Sequence, residues 1–353
     1  MIDISVVVAA YNVEKYINQC INSLLDQSSD SYEIIIVNDG STDSTAKIID
    51  SFSGNENIKI IHKKNEGVSV ARNVGIDNAE GKWLTFVDGD DFVESNFIIK
   101  IREIINNIEC DMIVFNYNAY FDYDHKFECR TLPFNEDQFI NEFKDFFQKR
   151  MISQYYKGGD DRTIVSSGTT WCKVIKKDIV KRYNISYKPG LIKAQDTVFW
   201  LNITEKVNDI YYLDKSLYNY RLSFSSISSG KKFIKESEKE FDKLIKEYRV
   251  FIKNKDESFI DALNLRYIQV IMWNIDHNFF NKSNNIKVSN RANLLKDISN
   301  KKDYRDAING VNGKNLPTRI RIMLYFIKNN KFLEYYFVYK IYNLLSALKN
   351  KRK

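Results

Sequence analysis

Four short runs of apolar residues, rich in Val and Ile, divide the first part of the chain. They cover residues 4–9, 33–38, 58–62 and 83–87. Each run has the length of a strand and is mainly apolar without regular alternation, as expected for strands that are buried on both faces of a sheet. The segments between the runs carry apolar residues at three- and four-residue spacing, which is the period of a helix. Alternating strands and helices with short links predict a parallel, doubly wound α/β sheet.

The predicted helices follow these strands in order. They cover about residues 13–25, 41–52, 69–78 and 97–105, the first of them capped by Asn12. After residue 115 the pattern loosens into aromatic-rich segments, which predict antiparallel strands and loops built onto the sheet. Long helical patterns then occupy about residues 233–252 and 259–280. The sequence therefore predicts a sheet-based N-terminal part and a helical C-terminal part.

The net charge of +7 is concentrated at the end of the chain. Residues 318–353 contain nine of the 53 basic residues and one of the 46 acidic residues, together with many Tyr, Phe, Leu and Ile. A basic and apolar tail predicts peripheral contact with an anionic membrane, and no nucleic-acid partner is predicted. The alternative is a helix that packs on the body of the protein or on a second copy.

Composition excludes several protein classes. Three prolines and 13 glycines argue against disorder and fibrous repeats, and no run of 18 apolar residues could span a bilayer. The apolar N-terminal run has no basic flank or cleavage site, so a strand is expected there and not a signal peptide. The four cysteines show no CxxC spacing and predict neither a zinc site nor a disulfide framework. We therefore expect a cytoplasmic protein at the inner face of the cell membrane.

An acidic cluster, Asp88-Gly89-Asp90-Asp91, comes directly after the fourth apolar run. Ligands of such sheets bind beyond the carboxyl ends of the strands, which is where this cluster should lie. Carboxylates grouped there suit Mg²⁺ or Mn²⁺, and a cation so held could neutralise a diphosphate. Two alternatives are a solvated acidic turn and a phosphatase with an aspartyl nucleophile, although Asp91-Phe92 fits the phosphatase pattern poorly.

Polar residues also follow the other strands. Asp39 could accept a hydrogen bond from a base imide, and residues 40–43 read as a tight turn into a capped helix. The alternative for this segment is a helix-cap turn alone. Arg72, early in the third helix, is placed to approach a diphosphate or to form a structural ion pair with an Asp. Together these clusters predict one polar site at the sheet edge.

The chain resembles the family 2 glycosyltransferases of the GT-A fold. The resemblance is carried by VVVAAYNVEKYINQCINSLLDQ, IIIVNDGSTD, KNEGVSVARNVGI and WLTFVDGDD, in this order. It resumes in WCKVIKKDIVKRYNISY, AQDTVFW and YYLDKSLYNYRLSFSSIS, which look like bacterial capsule and polysaccharide enzymes. The resemblance implies a Rossmann-like, mostly parallel central sheet flanked by helices, and an inverting transfer from a UDP-sugar.

The resemblance implies a nucleotide pocket built from the first three strand ends. Ala10, Tyr11 and Glu14 would lie against the base and the ribose. Asp39 would read the uracil, and Asn65 would line the pocket beside it. We expect these residues to bind the UDP part of the donor.

The resemblance also implies a diphosphate and metal site. Asp88, Gly89 and Asp90 match the DxD motif, with Asp90 the more direct ligand of Mn²⁺ or Mg²⁺ and Asp88 nearer the ribose or sugar. Arg72 would line the nucleotide pocket. Arg221, with the serine-rich loop that follows it, would close over the diphosphate.

The second half of the resemblance implies the acceptor side. Trp171 and Lys173 match positions that border the acceptor, although ordinary core packing is the alternative for Trp171. Cys172 stands where Asn is common in the family. We expect the acceptor to be a glycan or a lipid-linked oligosaccharide.

The usual Glu-Asp pair of the family is Gln195-Asp196 in this chain. Gln cannot act as a base, and the DxD carboxylates are committed to the metal on the leaving-group side, so we assign the general base to Asp196. The alternative is that Asp196 only caps a helix. A chain without a base would be a nucleotide-sugar-binding scaffold without turnover.

Three parts are predicted along the chain. Residues 1–230 form the GT-A catalytic domain, with the nucleotide-sugar in 1–110 and the acceptor in 111–230. Residues 231–317 form a helical region, and residues 318–353 form the basic amphipathic tail. The expected function is transfer of a hexose or N-acetylhexosamine to a glycan hydroxyl in the synthesis of capsular or surface polysaccharide.

Overall fold

The structure, a computed structural model, describes residues 2–29, 31–122, 125–157, 168–191, 193–222, 237–280 and 286–350. The described chain falls into two compact units. The first unit contains residues 2–151 and 168–222, and the second contains residues 152–157 and 237–350. The strands all belong to the first unit, and the long C-terminal helices belong to the second.

One mixed sheet flanked by helices builds the first unit. Its strands are β1 (Ile4–Ala10), β2 (Tyr32–Asp39), β3 (Ile58–Lys63), β4 (Trp83–Asp88), β5 (Phe92–Val93), β6 (Met112–Asp122), β7 (His125–Cys129), β8 (Gln138–Phe139), β9 (Lys173–Lys176) and β10 (Ile210–Arg221). Its helices are α1 (Ile17–Leu25), α2 (Thr45–Asp50), α3 (Val68–Asn78), α4 (Phe97–Asn107), α5 (Lys144–Ile152), α6 (Lys177–Arg182) and α7 (Gln195–Lys206). The four strands and four helices expected before residue 110 are confirmed.

The described strands follow the order β3-β2-β1-β4-β9-β6-β10-β5, with β7 beside β6 and β8 beside β10. The first four are parallel, and β9 runs antiparallel between β4 and β6. The pairing of β6 with β10 is parallel, although the sequence predicted antiparallel strands after residue 115. Parallel neighbours need a long crossover, and the chain between these two strands is long enough to supply one.

The core of this unit lies on both faces of the parallel strands. Val6 and Val8 of β1 have no exposed surface, and Val7 on the opposite face is as deeply buried. Burial on both faces explains why these strands read as continuous apolar runs rather than alternating ones. On α1, residues Ile17, Cys20, Ile21 and Leu24 are buried, which is the spacing of one helix face.

The predicted cap of the first helix is wrong. Helix α1 begins at Ile17, after a turn that ends at Tyr16, and no side chain caps it. Asn12 has a left-handed backbone, with φ of 52°, and its side-chain oxygen accepts from the Thr42 backbone N–H instead. The side chain that sequence reasoning placed on a helix end therefore joins two loops at the sheet edge.

The second unit is helical. Its helices are α8 (Ser237–Ile252), α9 (Glu257–Asn274), α10 (Val288–Asn300), α11 (Lys302–Gly310), α12 (Thr318–Lys328) and α13 (Phe332–Asn350), and a π-helical turn, Ile275–Phe279, follows α9. Asp276 in this turn bonds to Arg319 of α12 and accepts from the Tyr339 hydroxyl of α13 at 2.9 Å. This cluster fastens the last two helices to the rest of the unit.

The predicted basic tail thus consists of two helices with different surroundings. On α12 the apolar residues Ile320, Met323, Leu324 and Ile327 are buried, so this helix packs within the unit. On α13 the apolar residues Leu333, Phe337, Ile341, Leu344 and Leu345 are exposed. The last three residues of the chain, all basic, lie outside the described part. Of the two tail helices, α13 therefore exposes the larger group of apolar side chains.

Candidate active site

The carboxyl ends of β1, β2 and β4 lie side by side and bring the predicted strand-end residues together. Ala10 pairs in register with Asn38, and Ala9 pairs with Asp88. Ala10 is buried, whereas the next side chain, Tyr11, is 46% exposed. An exposed aromatic ring at a strand end offers a surface on which a planar base could stack.

The loops after β1 and β2 are joined by hydrogen bonds. The Glu14 carboxylate accepts from the Ser44 backbone N–H at 2.9 Å, and the Asp43 carboxylate accepts from the Glu14 backbone N–H at 3.2 Å. Asp43 also accepts from the Thr45 N–H, so both carboxylates satisfy free N–H groups at the start of α2. The carboxylate of Glu14 thus shapes the loop in which its ribose contact was predicted.

The Asp39 carboxylate is buried and holds the loop after β3. It accepts from Lys63 Nζ at 2.7 Å and from the backbone N–H groups of Glu66 and Gly67 at 3.0 and 2.8 Å. Gly40 is required beside it, because its φ is +68° and a Cβ would lie 2.6 Å from the Asn65 backbone nitrogen. Asp39 thereby shapes the wall of the predicted base pocket, at which the Asn65 side chain is exposed.

Arg72 and Asp88 form an ion pair at the end of β4. The Arg72 Nη2 atom donates to Asp88 Oδ1 at 2.7 Å, and its guanidinium carbon lies 5.2 Å from the centre of the Tyr187 ring. Arg72 is buried, and its Nη1 atom has no hydrogen-bond partner within the described residues. The structural ion pair therefore exists, and it leaves one charged donor unsatisfied.

The Asp88-Gly89-Asp90-Asp91 turn is held by the strands around it. The Gly89 N–H donates to the Ala9 carbonyl at 3.2 Å, and the Asp91 N–H donates to the Asp88 carbonyl at 3.0 Å. Burial, together with the negative charge of Asp88, raises the pKa of Asp90 to about 6. A cation between these two carboxylates would relieve their repulsion and lower that pKa.

The last acidic residue of the turn anchors β10. Asp91 is buried and accepts from the Tyr218 hydroxyl at 2.6 Å and from the Arg221 backbone N–H at 2.7 Å. Burial raises the pKa of Asp91 well above its usual value. Asp91 therefore has a structural part, because it fixes the position of the turn that carries Asp90.

Arg221 locks the same turn from the other side. Its Nε donates to the Asp90 carbonyl at 2.9 Å, and its Nη2 donates to Gln19 at 2.7 Å. The guanidinium carbon lies 4.8 Å from the centre of the Tyr16 ring. The serine-rich loop predicted to close over a diphosphate falls in residues 223–230, outside the described residues. The described contacts of Arg221 are therefore with the protein.

Trp171 and Lys173 lie inside the protein. The Trp171 ring is buried and stacks on Tyr218, with 4.9 Å between ring centres and 8° between planes. Lys173 has no exposed surface, and its ammonium donates to the Thr169 carbonyl at 2.8 Å. Cys172, between them, has a φ of 63°. Both side chains are therefore packed inside the protein, as in the core-packing alternative for Trp171, and the predicted acceptor contact stays a prediction.

Asp196 and Gln195 open helix α7 after Ala194, whose φ is 59°. The Asp196 carboxylate accepts from the backbone N–H of the next residue, Thr197, at 2.9 Å. The N-cap of α7 is Ala194, and no side chain makes a capping hydrogen bond at this helix start, so Asp196 is not the cap. Burial raises the pKa of Asp196, opposed by the positive charge of Arg72. The Gln195 Oε1 atom is buried without a hydrogen-bond partner among the described residues. The start of α7 therefore carries the Asp196 carboxylate, whose pKa is raised, and the Gln195 oxygen, which accepts no hydrogen bond from the described residues.

Sequence reasoning missed several residues that build this site. Tyr218 and Gln19 were not singled out, because a Tyr in an aromatic strand and a Gln in a helix carry no local signal. Asn73 exchanges two hydrogen bonds of 2.8 Å with the backbone of Tyr187, which places that ring against Arg72. These partners are brought together by the fold, at sequence separations above 100 for Asn73 and Tyr187.

The donor set at the turn fits a hard cation only in part. Over the described ranges, no three His, Cys, Asp or Glu side chains converge on one point. Asp88 and Asp90 could supply two carboxylates, and diphosphate oxygens and water would complete the shell. Mg²⁺ is commonly held in this way, by one or two carboxylates and substrate phosphates. The residues present are therefore compatible with a cation that binds together with the donor.

The family model Glycosyl transferase family 2 matches residues 5–183. Glycosyltransferase GlyA of Streptococcus pneumoniae serotype 4 is 32% identical over 228 residues, which are 64% of this chain and 31% of GlyA. Cholesterol galactosyltransferase of Borreliella burgdorferi is 23% identical over 352 residues, 96% of this chain and 97% of that protein. The chain thus spans under a third of one relative and nearly all of the other.

Among solved structures, S. aureus TarS 1–349 shares the fold. Its TM-score is 0.62 at 20% identity, and the match covers 97% of this chain and 92% of that chain. The same protein has been solved in complex with UDP-GlcNAc, with a TM-score of 0.61. At this identity the likeness concerns the fold alone, and it confirms the predicted α/β sheet with a helical C-terminal region.

Proposed function

Because the chain belongs to glycosyltransferase family 2, we propose that it transfers a hexose or N-acetylhexosamine from a UDP-sugar to a hydroxyl of a glycan acceptor, with inversion. The observation that carries the proposal is the arrangement at the end of β4. A buried arginine holds Asp88 with one nitrogen and keeps the other unsatisfied, and Asp90 lies in the same turn. Such a site suits a ligand that is anionic and rich in oxygen atoms.

The chemistry of the proposed transfer needs one base and one stabilised leaving group. The acceptor oxygen forms a bond to the anomeric carbon, the bond from that carbon to UDP breaks, and the acceptor proton passes to Asp196. Burial favours this role, because a raised pKa makes the Asp196 carboxylate a better proton acceptor. Mn²⁺ or Mg²⁺, when bound by Asp90 and Asp88, would neutralise charge on the departing diphosphate. Arg72 would add a hydrogen bond on that side.

The acceptor is proposed to be a glycan or a lipid-linked oligosaccharide at an anionic membrane, in the synthesis of capsular or surface polysaccharide. Two observations support a membrane. Helix α13 exposes a row of large apolar side chains, and the relative that matches nearly the whole chain names a sterol acceptor. No helix in the described part of the chain is long and apolar enough to cross a bilayer. The proposed contact is therefore peripheral.

A donor screen tests the proposed activity. UDP release would be measured with UDP-Glc, UDP-Gal, UDP-GlcNAc and UDP-GalNAc, in the presence of Mn²⁺ and with or without acceptor glycans. We expect one donor to be used well above the others. Calorimetric binding of UDP without release or transfer from any donor would contradict the proposal and support a scaffold role. The lack of turnover would then be attributed to Gln195, which stands in place of the usual Glu.

A further inference from the structure

Lys173, the first residue of β9, is a fully buried cation without a carboxylate hydrogen bond. Its ammonium donates to the carbonyls of Thr169 and Trp171 at 2.8 and 3.3 Å, and it lies 5.3 Å from the centre of the Trp200 ring. Removing an ammonium group from water costs several kcal/mol unless its surroundings compensate. Two neutral carbonyls and a ring compensate only in part. The contacts of the Lys173 ammonium therefore do not by themselves explain why this charge is buried.

The turn before β9 packs directly on the start of α7. The Thr197 hydroxyl donates to the Gly168 carbonyl at 3.3 Å, and a Cβ at Gly168 would lie 2.4 Å from the Thr197 hydroxyl oxygen. Trp200, which carries the Lys173 ammonium over its ring, is four residues after Asp196. Residues four apart share one face of a helix. The Lys173 ammonium therefore lies on the face of α7 that begins with Asp196.

We propose that Lys173 is a positioning residue, whose buried ammonium holds the 169–171 turn against the start of α7 and so fixes the place of Asp196. This inference rests on the proposed role of Asp196 as base. The charged and titratable groups that act on Asp196 are Arg72, Asp88, Lys173 and Tyr187, and those that act on Lys173 are Cys172 and Asp196. Burial lowers the pKa of Lys173 to about 8, so the ammonium form prevails at neutral pH.

The sign of the effect follows from the charges. Burial and the negative charge of Asp88 raise the pKa of Asp196, and the positive charges of Arg72 and Lys173 lower it. Loss of the Lys173 charge would raise the pKa of Asp196 further. A larger part of the enzyme would then hold a protonated base on the acid side of the pH–rate profile. Donor binding would stay the same, because Lys173 has no exposed surface that could touch the nucleotide.

The test is the pH–rate profile of Lys173→Met, which removes the charge and keeps most of the volume. We expect kcat at pH 7 to fall at least about tenfold, because the turn no longer holds the start of α7 in place. The acid limb should also move to higher pH, because a positive charge that acts on Asp196 is lost. The KM for the UDP-sugar should stay the same. Lys176→Met is the matched control, because Lys176 is on the same strand, pairs with Asp111 and should leave the profile unchanged.

The outcomes separate this inference from the proposed function. A wild-type protein that releases no UDP contradicts the function itself. An active wild type whose Lys173→Met variant keeps its rate and its acid limb contradicts the inference alone. If Lys173→Met does not fold, Lys173→Ala would be assayed with added butylammonium or butanol. Rescue by butylammonium only supports the inference, and equal rescue by neutral butanol overturns it.

Discussion

The Arg72 guanidinium holds Asp88 through one terminal nitrogen, at 2.7 Å, and its other terminal nitrogen is buried without a hydrogen-bond partner in the described part of the chain. An unpaired buried donor of this kind costs about 1–3 kcal/mol, or more when it is charged. A phosphate or hydroxyl oxygen of a ligand would remove that cost on binding. The ion pair thus fixes the direction in which the free N–H points, and part of the affinity for the donor should depend on it.

Arg72→Lys should weaken donor binding by about 10- to 100-fold, because lysine keeps the charge but not the two-sided donor geometry. Isothermal titration with UDP-GlcNAc, or with the donor found in the screen, measures this. Arg102→Lys is the control, since Arg102 lies on helix α4, outside the site, and donates to the Ser29 hydroxyl. Equal affinity of Arg72→Lys and wild type would show that the free nitrogen does not meet the donor.

Asp90→Asn should make the protein more stable and nearly inactive. The folded protein holds the Asp90 proton up to a pKa of about 6, above the value of an unfolded chain, so ionisation of Asp90 opposes folding as the pH rises. Asparagine removes that cost, and the free energy of unfolding at pH 7.5 without metal should rise by about 1–3 kcal/mol. At pH 4 the gain should vanish. Turnover should fall about 100-fold or more.

Denaturant unfolding at the two pH values and a UDP-release assay check this pair of effects. Asp178→Asn serves as the control, because Asp178 is exposed and pairs only with Arg182 on the next turn of α6. It should change neither quantity. An Asp90→Asn variant that remains fully active in excess EDTA would exclude metal-dependent catalysis at Asp90.

The parallel half of the sheet and the edge that holds the site were predictable from sequence. Strands β1, β2 and β4 are buried on both faces and therefore appear in the sequence as nearly continuous apolar runs, whereas β3 is only partly buried. Polar residues that follow such parallel strands must lie at one edge of the sheet. Hydrogen-bond partners were not predictable in the same way. Asn is a residue type that commonly caps helices, but the bond between Asn12 and Thr42 depends on how two loops meet. Tyr218 and Asp91 are 127 residues apart, and no local pattern links them.

Tyr218→Phe should destabilise the protein by about 1–3 kcal/mol, because it leaves the buried Asp91 carboxylate without its hydroxyl donor. Loss of that donor also raises the pKa of Asp91 further. A raised pKa opposes folding once the group ionises, so the destabilisation should grow as the pH rises from 5 to 8. Denaturant unfolding across this range measures the effect. Tyr183→Phe at an exposed position is the control and should be neutral.

Asp196→Asn should abolish transfer while donor binding stays the same. The amide keeps the shape of the carboxylate and its bond to the Thr197 N–H, so a purely structural role predicts near-normal turnover. A base role predicts a loss of about 100- to 10,000-fold in kcat. UDP affinity, measured by calorimetry, should agree with wild type within error. Normal turnover of this variant would leave Asp196 with a structural role alone and the base unassigned.

Gln195→Glu distinguishes a working base from an inactive scaffold. A second carboxylate beside Asp196 should raise the pKa of Asp196 and move the acid limb of the pH–rate profile upward. It should not increase turnover at neutral pH. If Gln195→Glu alone switches on a silent wild type, both the base assignment and native catalysis are wrong.

Substitutions on α13 should release the protein from anionic vesicles. Phe337, Ile341 and Leu344 are each more than half exposed and recur at three- and four-residue spacing, which places them on one face of the helix. Lys340 lies on the flank of that face. Basic residues near an anionic surface contribute about 1 kcal/mol each, and apolar side chains add to this as they enter the headgroup region. Contact should therefore depend on both charge and apolar area.

Sedimentation with phosphatidylglycerol vesicles measures this contact. We expect wild type to sediment at low salt and to be partly released at 0.5 M NaCl, a salt concentration at which screening length falls to about 4 Å. Ile341→Glu combined with Leu344→Glu should reduce binding at least about tenfold, since two apolar contacts become repulsive charges. Val250→Glu, an equally exposed apolar site on α8, should sediment like wild type. If the double variant instead splits a dimer in gel filtration and vesicles bind neither protein, the α13 face joins two copies of the chain.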